Sequence, residues 1–291
     1  MEWLILIDGF INLNKPTEMT SHDAVSIVRR IFGTKKVGHG GTLDPAASGV
    51  LPVAVGRATK FLEYIDNDKS YRAEILFGTA TDSGDITGEI VDLAKNFSVP
   101  TLDELKLTAK NFVGEIEQTP PKFSAIKING RKAYDLARKK IDFDMPKRTV
   151  KIYRMEILKV DSKNVTVEVD CSKGTYIRTL AADFAAKFNL PATLKSLTRI
   201  KAGSFCLENA ATIDELKSDG EKFIRPIESC LLHLDIFNLP EHRIKAFCNG
   251  LPTDVKMPDG ILKVYSENKF LGIGAICGGE LRAAKLFSAG D

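Results

Sequence analysis

Apolar positions along the chain follow two periods, and each period predicts one kind of element. Alternation with polar residues, or a short unbroken apolar run, is typical of strands. It occurs in five stretches: ILIDGFINLNKP, GVLPVAVG, SYRAEILFG, TVKIYRMEILKV and NVTVEVDCS. Apolar residues three and four positions apart are typical of amphipathic helices. That spacing occurs in TSHDAVSIVRRIFG, TLDELKLTAKNF and GTYIRTLAADFAAKF.

Capping residues mark several helix ends. Thr101 with Glu104 forms the Thr-x-x-Glu pattern of a capping box, and Thr212 in TIDE begins a further helix in the same way. Gly33 suits the C-terminal cap of the first helix, because glycine adopts positive φ without strain. Strands and helices interleave, but without the regular rhythm of a doubly wound fold. The pattern therefore predicts an α+β fold with a mixed, mainly antiparallel central sheet flanked by helices and loops.

The pattern of apolar and polar positions changes near DIFNLPEHR, and the chain beyond this segment is rich in glycine. A short helix and several strands are predicted there. We therefore expect two domains, a large one over residues 1–232 and a small β-rich one over residues 233–291.

The composition is that of an ordinary water-soluble protein, with 27% charged and 44% hydrophobic residues. No apolar run approaches the roughly 20 residues of a membrane helix. The start, MEWLILIDGF, lacks the basic residues and the longer apolar region of a signal peptide. The five cysteines form no Cys-x-x-Cys pair, which disfavours a zinc site, and their odd number disfavours a disulfide framework. These features predict reduced thiols, a cytoplasmic protein and no membrane contact.

The segment from Lys122 to Lys151 is strongly basic. It holds ten Lys or Arg residues and three Asp residues, a net charge of +7 against +3 for the whole chain. Phe123, Tyr134 and Phe143 lie among these charges. Cations suit phosphates and flat rings suit unstacked bases, so the combination indicates nucleic-acid binding. A charge run by itself is as often the solvated face of a helix.

Asp44 stands alone in the glycine-rich stretch VGHGGTLDPAASGVLPVAVG. It is the only acidic residue between Ala24 and Leu62, a span that also holds six Lys or Arg residues. Asp before Pro is common in ordinary turns. The three preceding glycines, however, permit close approach by a ligand, and Pro45 keeps Asp44 out of the helical region. Such a turn can project one carboxylate into a cleft, where basic surroundings favour its ionised form and attract a polyanion.

Other catalytic motifs do not fit. GTKKVGHG lacks the Gly-Lys-Ser/Thr end of a P-loop, GDITGE is no calcium loop, and the four histidines have no metal-ligand spacing. A lone carboxylate cannot perform ordinary glycoside hydrolysis, which needs separate acid and base groups. It can attack a sugar or a base once and release it without net hydrolysis. We expect neither a metal nor another cofactor.

GHGGTLDPAASGVLPVAVGRATK closely resembles the catalytic motif of the TruB-type tRNA pseudouridine synthases. Four further segments resemble the same family in the same order: GFINLNKPTEMTSHDAVSIVRR, SYRAEILFGTATDSGD, PPKFSAIKINGRKAYDLAR and CSKGTYIRTLAADF. Several long motifs in series are far more specific than one glycine pattern. The resemblance implies the pseudouridine synthase fold. It also implies isomerisation of the T-loop uridine at tRNA position 55, on a base flipped out of its loop.

The resemblance implies catalytic roles for three residues. Asp44 corresponds to the catalytic aspartate, and the sequence leaves open whether it attacks the uracil ring or the sugar. Tyr71 corresponds to the ring that stacks on the target uracil, and Arg178 to the arginine that pairs with the aspartate. Taken by themselves, Tyr71 on an alternating strand is also typical of a core residue, and Arg178 on a helix of a surface charge.

Substrate-binding roles are implied for further positions. His39 corresponds to a histidine that holds the flipped-out T-loop nucleotides, Leu197 to an apolar residue of the uracil pocket, and Lys15 to a motif that shapes the site. The basic segment, at about residues 120–150, resembles a thumb-like insertion that clamps the T-arm, and we refer to it as the thumb segment. Its candidate RNA-binding residues are Lys127, Arg131, Lys132, Arg138, Lys139 and Lys140.

Residues 233–291 are placed like the family's RNA-binding PUA-type domain. The resemblance implies binding of the T-arm of tRNA. We expect a monomer that works without a guide RNA and binds neither DNA nor a membrane. Two alternatives stay open. A guide-RNA-dependent pseudouridine synthase shares the core, and the thumb-like insertion argues against it. A tRNA-folding chaperone on the same fold would not need the set of Asp44, Tyr71 and Arg178, which is intact.

Overall fold

The computed structural model describes residues 7–139 and 141–287, which form eighteen strands and six α-helices. The strands are β1 (Gly9–Lys15), β2 (Val37–His39), β3 (Ser48–Val55), β4 (Lys69–Phe77), β5 (Thr79–Thr81), β6 (Ile90–Leu93), β7 (Gly114–Gln118), β8 (Lys127–Ile128), β9 (Arg131–Lys132), β10 (Arg148–Asp161), β11 (Asn164–Cys171), β12 (Ala192–Ala202), β13 (Phe205–Cys206), β14 (Asp235–Asn238), β15 (Thr253–Asp254), β16 (Gly260–Ser266), β17 (Lys269–Cys277) and β18 (Glu280–Leu286). The helices are α1 (Ser21–Ile31), α2 (Leu102–Lys110), α3 (Ala133–Arg138), α4 (Ile177–Ala186), α5 (Ile213–Asp219) and α6 (Ile244–Cys248).

Nine strands form one mixed sheet. Its order is β1-β3-β12-β4-β11-β10-β7, with β2 paired to β3 and β13 to β12. The neighbouring pairs are antiparallel except β3 and β12, which run parallel where Ser48 meets Thr198 and Gly49 meets Arg199. The predicted α+β fold with a mixed, mainly antiparallel sheet is confirmed.

The predicted helices form where their caps indicated. Helices α2 and α5 begin with the predicted capping boxes at Thr101 and Thr212. Helix α1 has one as well, in which Thr20 and Asp23 bond each other's backbone, and Gly33 follows its end with φ 60°. The helix predicted from Gly174 begins later, at Ile177. Gly174 has φ 84° and Tyr176 is extended, so the chain turns before it coils.

Burial follows the predicted alternation. Tyr71, Ala73, Ile75 and Phe77 of β4 lie on one face, in a core that the sheet shares with α2 and α4. On the other side of the molecule, α1 and α5 pack on β1 and β3 in a second core. Strand β4 is central in the sheet and pairs with β12 and β11. Its first residues, near Tyr71, therefore have a fixed position relative to β12 and to β3 beyond it.

The last strands form a separate five-stranded sheet in the order β14-β16-β17-β18-β15, beside α6. It begins at Asp235, close to the predicted domain boundary, and confirms the predicted β-rich segment. The rings of Phe270 and Phe287 lie 5.9 and 6.4 Å from that of Phe61, so this sheet shares an aromatic core with the first part of the chain. The division into two domains at 232/233 stays a prediction.

The thumb segment leaves the main sheet after β7 and returns at β10. It contains a hairpin of β8 and β9 and the short helix α3. Asn129 and Gly130 make the hairpin turn, both with positive φ, as two-residue turns of this type require. Within residues 7–139 and 141–287, no helix is both long and apolar enough to cross a membrane.

Candidate active site

An open cleft of about 1300 Å³ is lined by β4, β12, the start of α4 and the loop after β2, with the thumb segment on one side. The loop between β2 and β3 carries Asp44 into it. Five of the six residues that the resemblance assigned to catalysis or to the nucleotide pocket line this cleft: His39, Asp44, Tyr71, Arg178 and Leu197. Lys15 does not. The structure thus brings together residues from four elements that are far apart in the sequence.

The Asp44 loop is clamped from the start of α1. The buried hydroxyl of Ser21 accepts a hydrogen bond from the Leu43 N–H at 2.8 Å and donates to the Leu43 carbonyl at 3.0 Å. The Asp44 carbonyl accepts from the Ala47 N–H at 3.0 Å, which closes the turn. Because the residue before Asp44 is held through both backbone groups, the carboxylate leaves the loop at a fixed angle.

Arg199 supports the same loop from beneath. Its fully buried guanidinium donates to the carbonyls of Val50 at 2.7 Å, Gly41 at 3.1 Å and Thr42 at 3.4 Å. Gly49 allows the backbone of Arg199 to lie this close to β3. It has φ +103°, and a Cβ there would overlap the carbonyl oxygen of Arg199.

Arg178 reaches Asp44 from the first turn of α4. Its Nη2 lies 3.0 Å from Asp44 Oδ2, and the side chains are 6% and 40% exposed respectively. The guanidinium also donates to the carbonyls of Ser83 at 2.8 Å and Phe123 at 3.0 Å, and its Nη1 lies 3.9 Å from Asp85 Oδ2. A buried guanidinium with this many fixed acceptors cannot rotate freely, so it holds one oxygen of Asp44 in place.

Tyr71 and Leu197 form an apolar part of the cleft next to this pair. Tyr71 lies opposite Arg199 in the β4–β12 register, and Leu197 lies opposite Ala73. Burial raises the pKa of the Tyr71 phenol, which therefore remains neutral at physiological pH. The flat ring, the branched side chain and the nearby carboxylate suit a planar heterocycle held against Asp44.

His39 lies where β2 enters the cleft. The Gly41 N–H donates to its Nδ1 at 3.3 Å, so this nitrogen acts as an acceptor. Burial and then the charge of Arg199 lower the pKa of His39. A neutral imidazole with one nitrogen already occupied offers its other N–H as a donor to a ligand.

Lys15 is fully buried, beneath the cleft rather than in it. Its Nζ donates to the carbonyls of Pro16 and Met19, both at 2.7 Å. Burial, and then the charge of Arg199, lowers the pKa of Lys15 to about 8. With no exposed surface, Lys15 has nothing to offer a substrate directly, and we place it among the residues that support the site.

The thumb residues divide into two groups. Lys132 and Arg138 line the cleft near the Tyr134 ring, with Nζ and Cζ 5.4 and 5.6 Å from its centroid. Lys127, Arg131 and Lys139 are exposed but lie outside the cleft lining. Lys140 lies outside the described residues.

Four residues of the site were missed from the sequence: Ser21, Lys69, Asp85 and Arg199. Ser21 begins a helix, and Asp85 lies in GDITGE, which is no calcium loop, and at the end of the family-like segment SYRAEILFGTATDSGD, which assigned it no role. Asp85 accepts from Ser83 Oγ and the Thr87 N–H, which fixes it near Arg178. Ser21, Asp85 and Arg199 reach the site through partners that are distant along the chain, namely Leu43, Arg178 and Gly41, so no local pattern indicated them.

Within residues 7–139 and 141–287, no three His, Cys, Asp or Glu side chains form a group that could hold a metal ion. Among the carboxylates that line the cleft, Asp44 lies 3.0 Å from the Arg178 guanidinium, which Asp85 approaches from its other amino group at 3.9 Å. That pair can supply a nucleophile, a fixed counter-charge and a proton acceptor. The expectation that no cofactor is needed stays a prediction.

Residues 29–177 match the family described as TruB family pseudouridylate synthase (N terminal domain). The tRNA pseudouridine synthase B of Caldanaerobacter subterraneus subsp. tengcongensis is 40% identical, covering 97% of this chain and 99% of the relative. That of Clostridium perfringens is 42% identical, covering 92% and 95%. A chain in the structure of an H/ACA RNP bound to a substrate RNA containing 2′-deoxyuridine superposes with a TM-score of 0.73 at 25% identity, covering 96% of this chain and 85% of that one.

The fold and these similarities define an enzyme of the isomerase class that forms pseudouridine. The chain belongs to the TruB family of pseudouridylate synthases.

Proposed function

We propose that the chain converts the T-loop uridine at position 55 of tRNA to pseudouridine. Asp44 is the nucleophile and acts on a flipped-out base. The enzyme works as a stand-alone monomer in the cytoplasm, without a guide RNA. The observation that carries the proposal is the ion pair between Asp44 and the buried Arg178, 3.0 Å apart in a cleft that also holds Tyr71.

The reaction needs one reactive carboxylate and no outside reagent. The C1′–N1 bond of the nucleotide breaks, the uracil turns, and a C1′–C5 bond forms. N1 gains a proton and C5 loses one, so atoms and electrons balance within the substrate. Asp44 supplies the electron pair, to the ring or to the sugar, and Arg178 holds the carboxylate in position. The isomerase class of the family agrees with this balance.

A uridine inside a folded loop must leave its stack before this chemistry. Unstacking costs a few kcal/mol. Stacking on an aromatic ring returns about 1–3 kcal/mol per base, and Tyr71 offers such a ring beside Asp44. Leu197 and the neutral His39 complete the surroundings of a flipped base.

The thumb segment supports a hairpin substrate. Lys132 and Arg138 bring positive charge to the cleft lining, each within 6 Å of the Tyr134 ring centroid. Cations spaced around an aromatic ring suit the phosphates and splayed bases of an RNA loop. The relatives named tRNA pseudouridine synthase B are similar over nearly their whole length, which supports tRNA as the RNA. We assign the T-arm to the cleft and further RNA contact to residues 233–291.

The cellular part of the proposal rests on simpler observations. All five cysteines are free thiols, as expected in the reducing cytoplasm. Asp44, Tyr71 and Arg178 of a single chain line the same cleft, so the proposed chemistry requires no residue from a second copy.

A guide-RNA-dependent enzyme is the second candidate, because the H/ACA RNP chain has a similar fold. Its identity to this chain is 25%, against 40% and 42% for the two tRNA pseudouridine synthases B. The higher identity supports the stand-alone enzyme.

The test is a base-resolved pseudouridine map of unmodified tRNA incubated with the purified chain alone. We expect one new pseudouridine, in the T-loop. Modification that requires an added guide RNA or partner proteins would replace the proposal by the guide-dependent candidate. Modification at another tRNA position would refute the T-loop assignment.

A further inference from the structure

Lys69 interrupts an otherwise apolar strand face at the edge of the cleft. Positions 71, 73, 75 and 77 of β4 are buried, and position 69 continues the same face two residues before Tyr71. The alternation would place an apolar residue here. The side chain is half-buried and lines the cleft. A cation at the edge of the cleft can pair with an anionic group of a ligand.

No carboxylate of the described chain lies within 4.0 Å of the Lys69 ammonium. Its one recorded hydrogen bond is a donation to the carbonyl of Asn67 at 2.7 Å. An ammonium has three donors, so two remain for another partner. Burial, and then the neighbouring charge of Arg199, lowers the pKa of Lys69, while the carboxylates of Asp68 and Asp66, beyond ion-pair distance, act in the opposite direction. A partly buried cation beside a second cation is destabilised unless an anion joins them.

Gly41 leaves room for such an anion. A Cβ on Gly41 would stand 3.5 Å from Lys69 Cε and 3.9 Å from Arg199 Nη1. The Gly41 backbone, which carries no side chain, therefore lies beside two cations, and within the described residues no carboxylate forms an ion pair with either of them. Arg199 is fully buried and contributes its field, whereas Lys69 can touch a ligand.

The position relative to Tyr71 indicates which anion fits. Residues two apart on a strand are about 7 Å apart on the same face. A base stacked on Tyr71 would thus have the sugar–phosphate backbone of its own or the adjoining nucleotide within reach of Lys69. Phosphate oxygens are the anions that RNA offers at this distance.

We propose that Lys69, with the bare backbone of Gly41, forms a subsite for one phosphate next to the flipped nucleotide. This proposal rests on the proposed function, since it needs an RNA base on Tyr71. The contact anchors the backbone while the uracil is detached from its sugar, so it holds the reacting ribose near Asp44.

The test uses a synthetic T-arm stem-loop and the variants Lys69→Met and Lys69→Arg. Methionine keeps the length and the apolar packing of the stem but removes the charge. We expect Lys69→Met to raise KM about tenfold, with kcat within a few-fold, as for one lost charged hydrogen bond. The log–log salt slope of binding should fall by about 0.7. Arginine should restore most of the affinity. Lys106→Met, at an exposed position on α2, is the matched control and should behave as wild type.

A second arm identifies the phosphate. Each phosphate around the target uridine is replaced in turn by an uncharged methylphosphonate. One position should cost the wild type about tenfold in KM and cost Lys69→Met nothing further, because the two changes remove the same contact. If KM and salt slope are unchanged in Lys69→Met, or if every methylphosphonate costs both enzymes equally, the subsite does not exist. An inactive wild type on the unmodified stem-loop would instead refute the proposed function.

Discussion

The guanidinium of Arg178 meets the carboxylate of Asp44 at 3.0 Å, and the two ends of this pair have very different surroundings. Arg178 is buried among the carbonyls of Ser83 and Phe123 and the carboxylate of Asp85. Asp44 keeps 40% of its side-chain surface exposed to the cleft. The protein thus fixes the cation and leaves part of the anion accessible, which is the arrangement that a nucleophile held for a large substrate requires.

Replacing Asp44 by Asn should abolish pseudouridine formation. The amide has the same size but cannot act as an anionic nucleophile, and the proposed RNA contacts are spread over the thumb and cleft. We therefore expect tRNA affinity within a few-fold of wild type. Turnover above a thousandth of the wild-type rate, measured with tritium-labelled or mapped tRNA, would falsify the role.

Arg178→Lys should lower kcat far more than it changes KM. Lysine keeps the positive charge but cannot reach Asp44 and the Ser83 and Phe123 carbonyls in one planar fork. We expect a loss of at least about a hundredfold in kcat, or about 2.7 kcal/mol of barrier. Steady-state kinetics on full tRNA measures this split. A change confined to KM would identify Arg178 as a phosphate contact.

Charge reversal in the thumb segment should weaken RNA binding and reduce its salt dependence. Lys132→Glu and Arg138→Glu each remove a cation that lines the cleft. The log–log slope of affinity against salt should fall by about 0.7 to 0.9 per lost phosphate contact. Lys139→Glu serves as the comparison, because Lys139 follows Arg138 directly in the sequence but lies outside the cleft lining. Equal slopes in the wild type and the first two variants would show that the thumb does not touch phosphate.

Gly49→Ala should destabilise the protein by about 3 kcal/mol or more. Gly49 has φ +103° in the parallel β3–β12 junction, and a methyl group there would overlap the Arg199 carbonyl. Gly33→Ala is the matched control, with φ +60° and open space around it. Its cost should be about 1 kcal/mol, from backbone strain alone. Urea unfolding measures both, and equal losses would mean that close packing at the junction is unimportant.

Lys15 should make the stability of the fold depend on pH above neutrality. Its folded pKa is about 8, against 10.5 for the ordinary side chain. Between these values the unfolded chain keeps a proton that the folded chain has released, so stability rises with pH. Below pH 8 both states are protonated and the cost of the buried charge is fully present. Near pH 10.5 that cost is gone.

The corresponding measurement compares wild type with Lys15→Met by urea unfolding from pH 7.5 to 10. The free energy of unfolding of the wild type should rise relative to the variant by about 1–2 kcal/mol across this range. Lys106→Met serves as the reference for an exposed lysine. A difference that stays constant with pH would mean that Lys15 keeps an ordinary pKa in the fold.

Local patterns were sufficient for most of the elements. The alternation that ends in Phe77 predicted β4, and the Thr101–Glu104 box predicted the start of α2. The predicted start of α4, at Gly174, is three residues too early, because the apolar spacing continues through the turn that Gly174 makes before Ile177. Periodicity measures which face is apolar, and it contains little information on where the backbone begins to coil.

Asp44, Tyr71 and Arg178 were named from motifs, and their role in the reaction stays a prediction. The motifs do not say how far apart these side chains lie in the folded protein. The contact of 3.0 Å between Asp44 and Arg178 exists because β4 and β12 bring the Asp44 loop and the start of α4 to one end of the sheet. The pairing of β1 with β3, in which Lys15 lies opposite Gly49, buries Lys15 outside the cleft lining, although its place in a motif suggested substrate contact.

The amino-acid sequence by itself determined the fold class, the helix caps, the basic thumb segment and the isolation of Asp44 among basic residues. These are properties of neighbours along the chain, and short-range sterics and hydrophobic periodicity express them directly. Only the tertiary structure decided that Ser21 and Arg199 hold the Asp44 loop, and that Lys69 faces the cleft without a carboxylate. Those relations depend on strand register and on burial, which emerge when distant segments pack and exclude water.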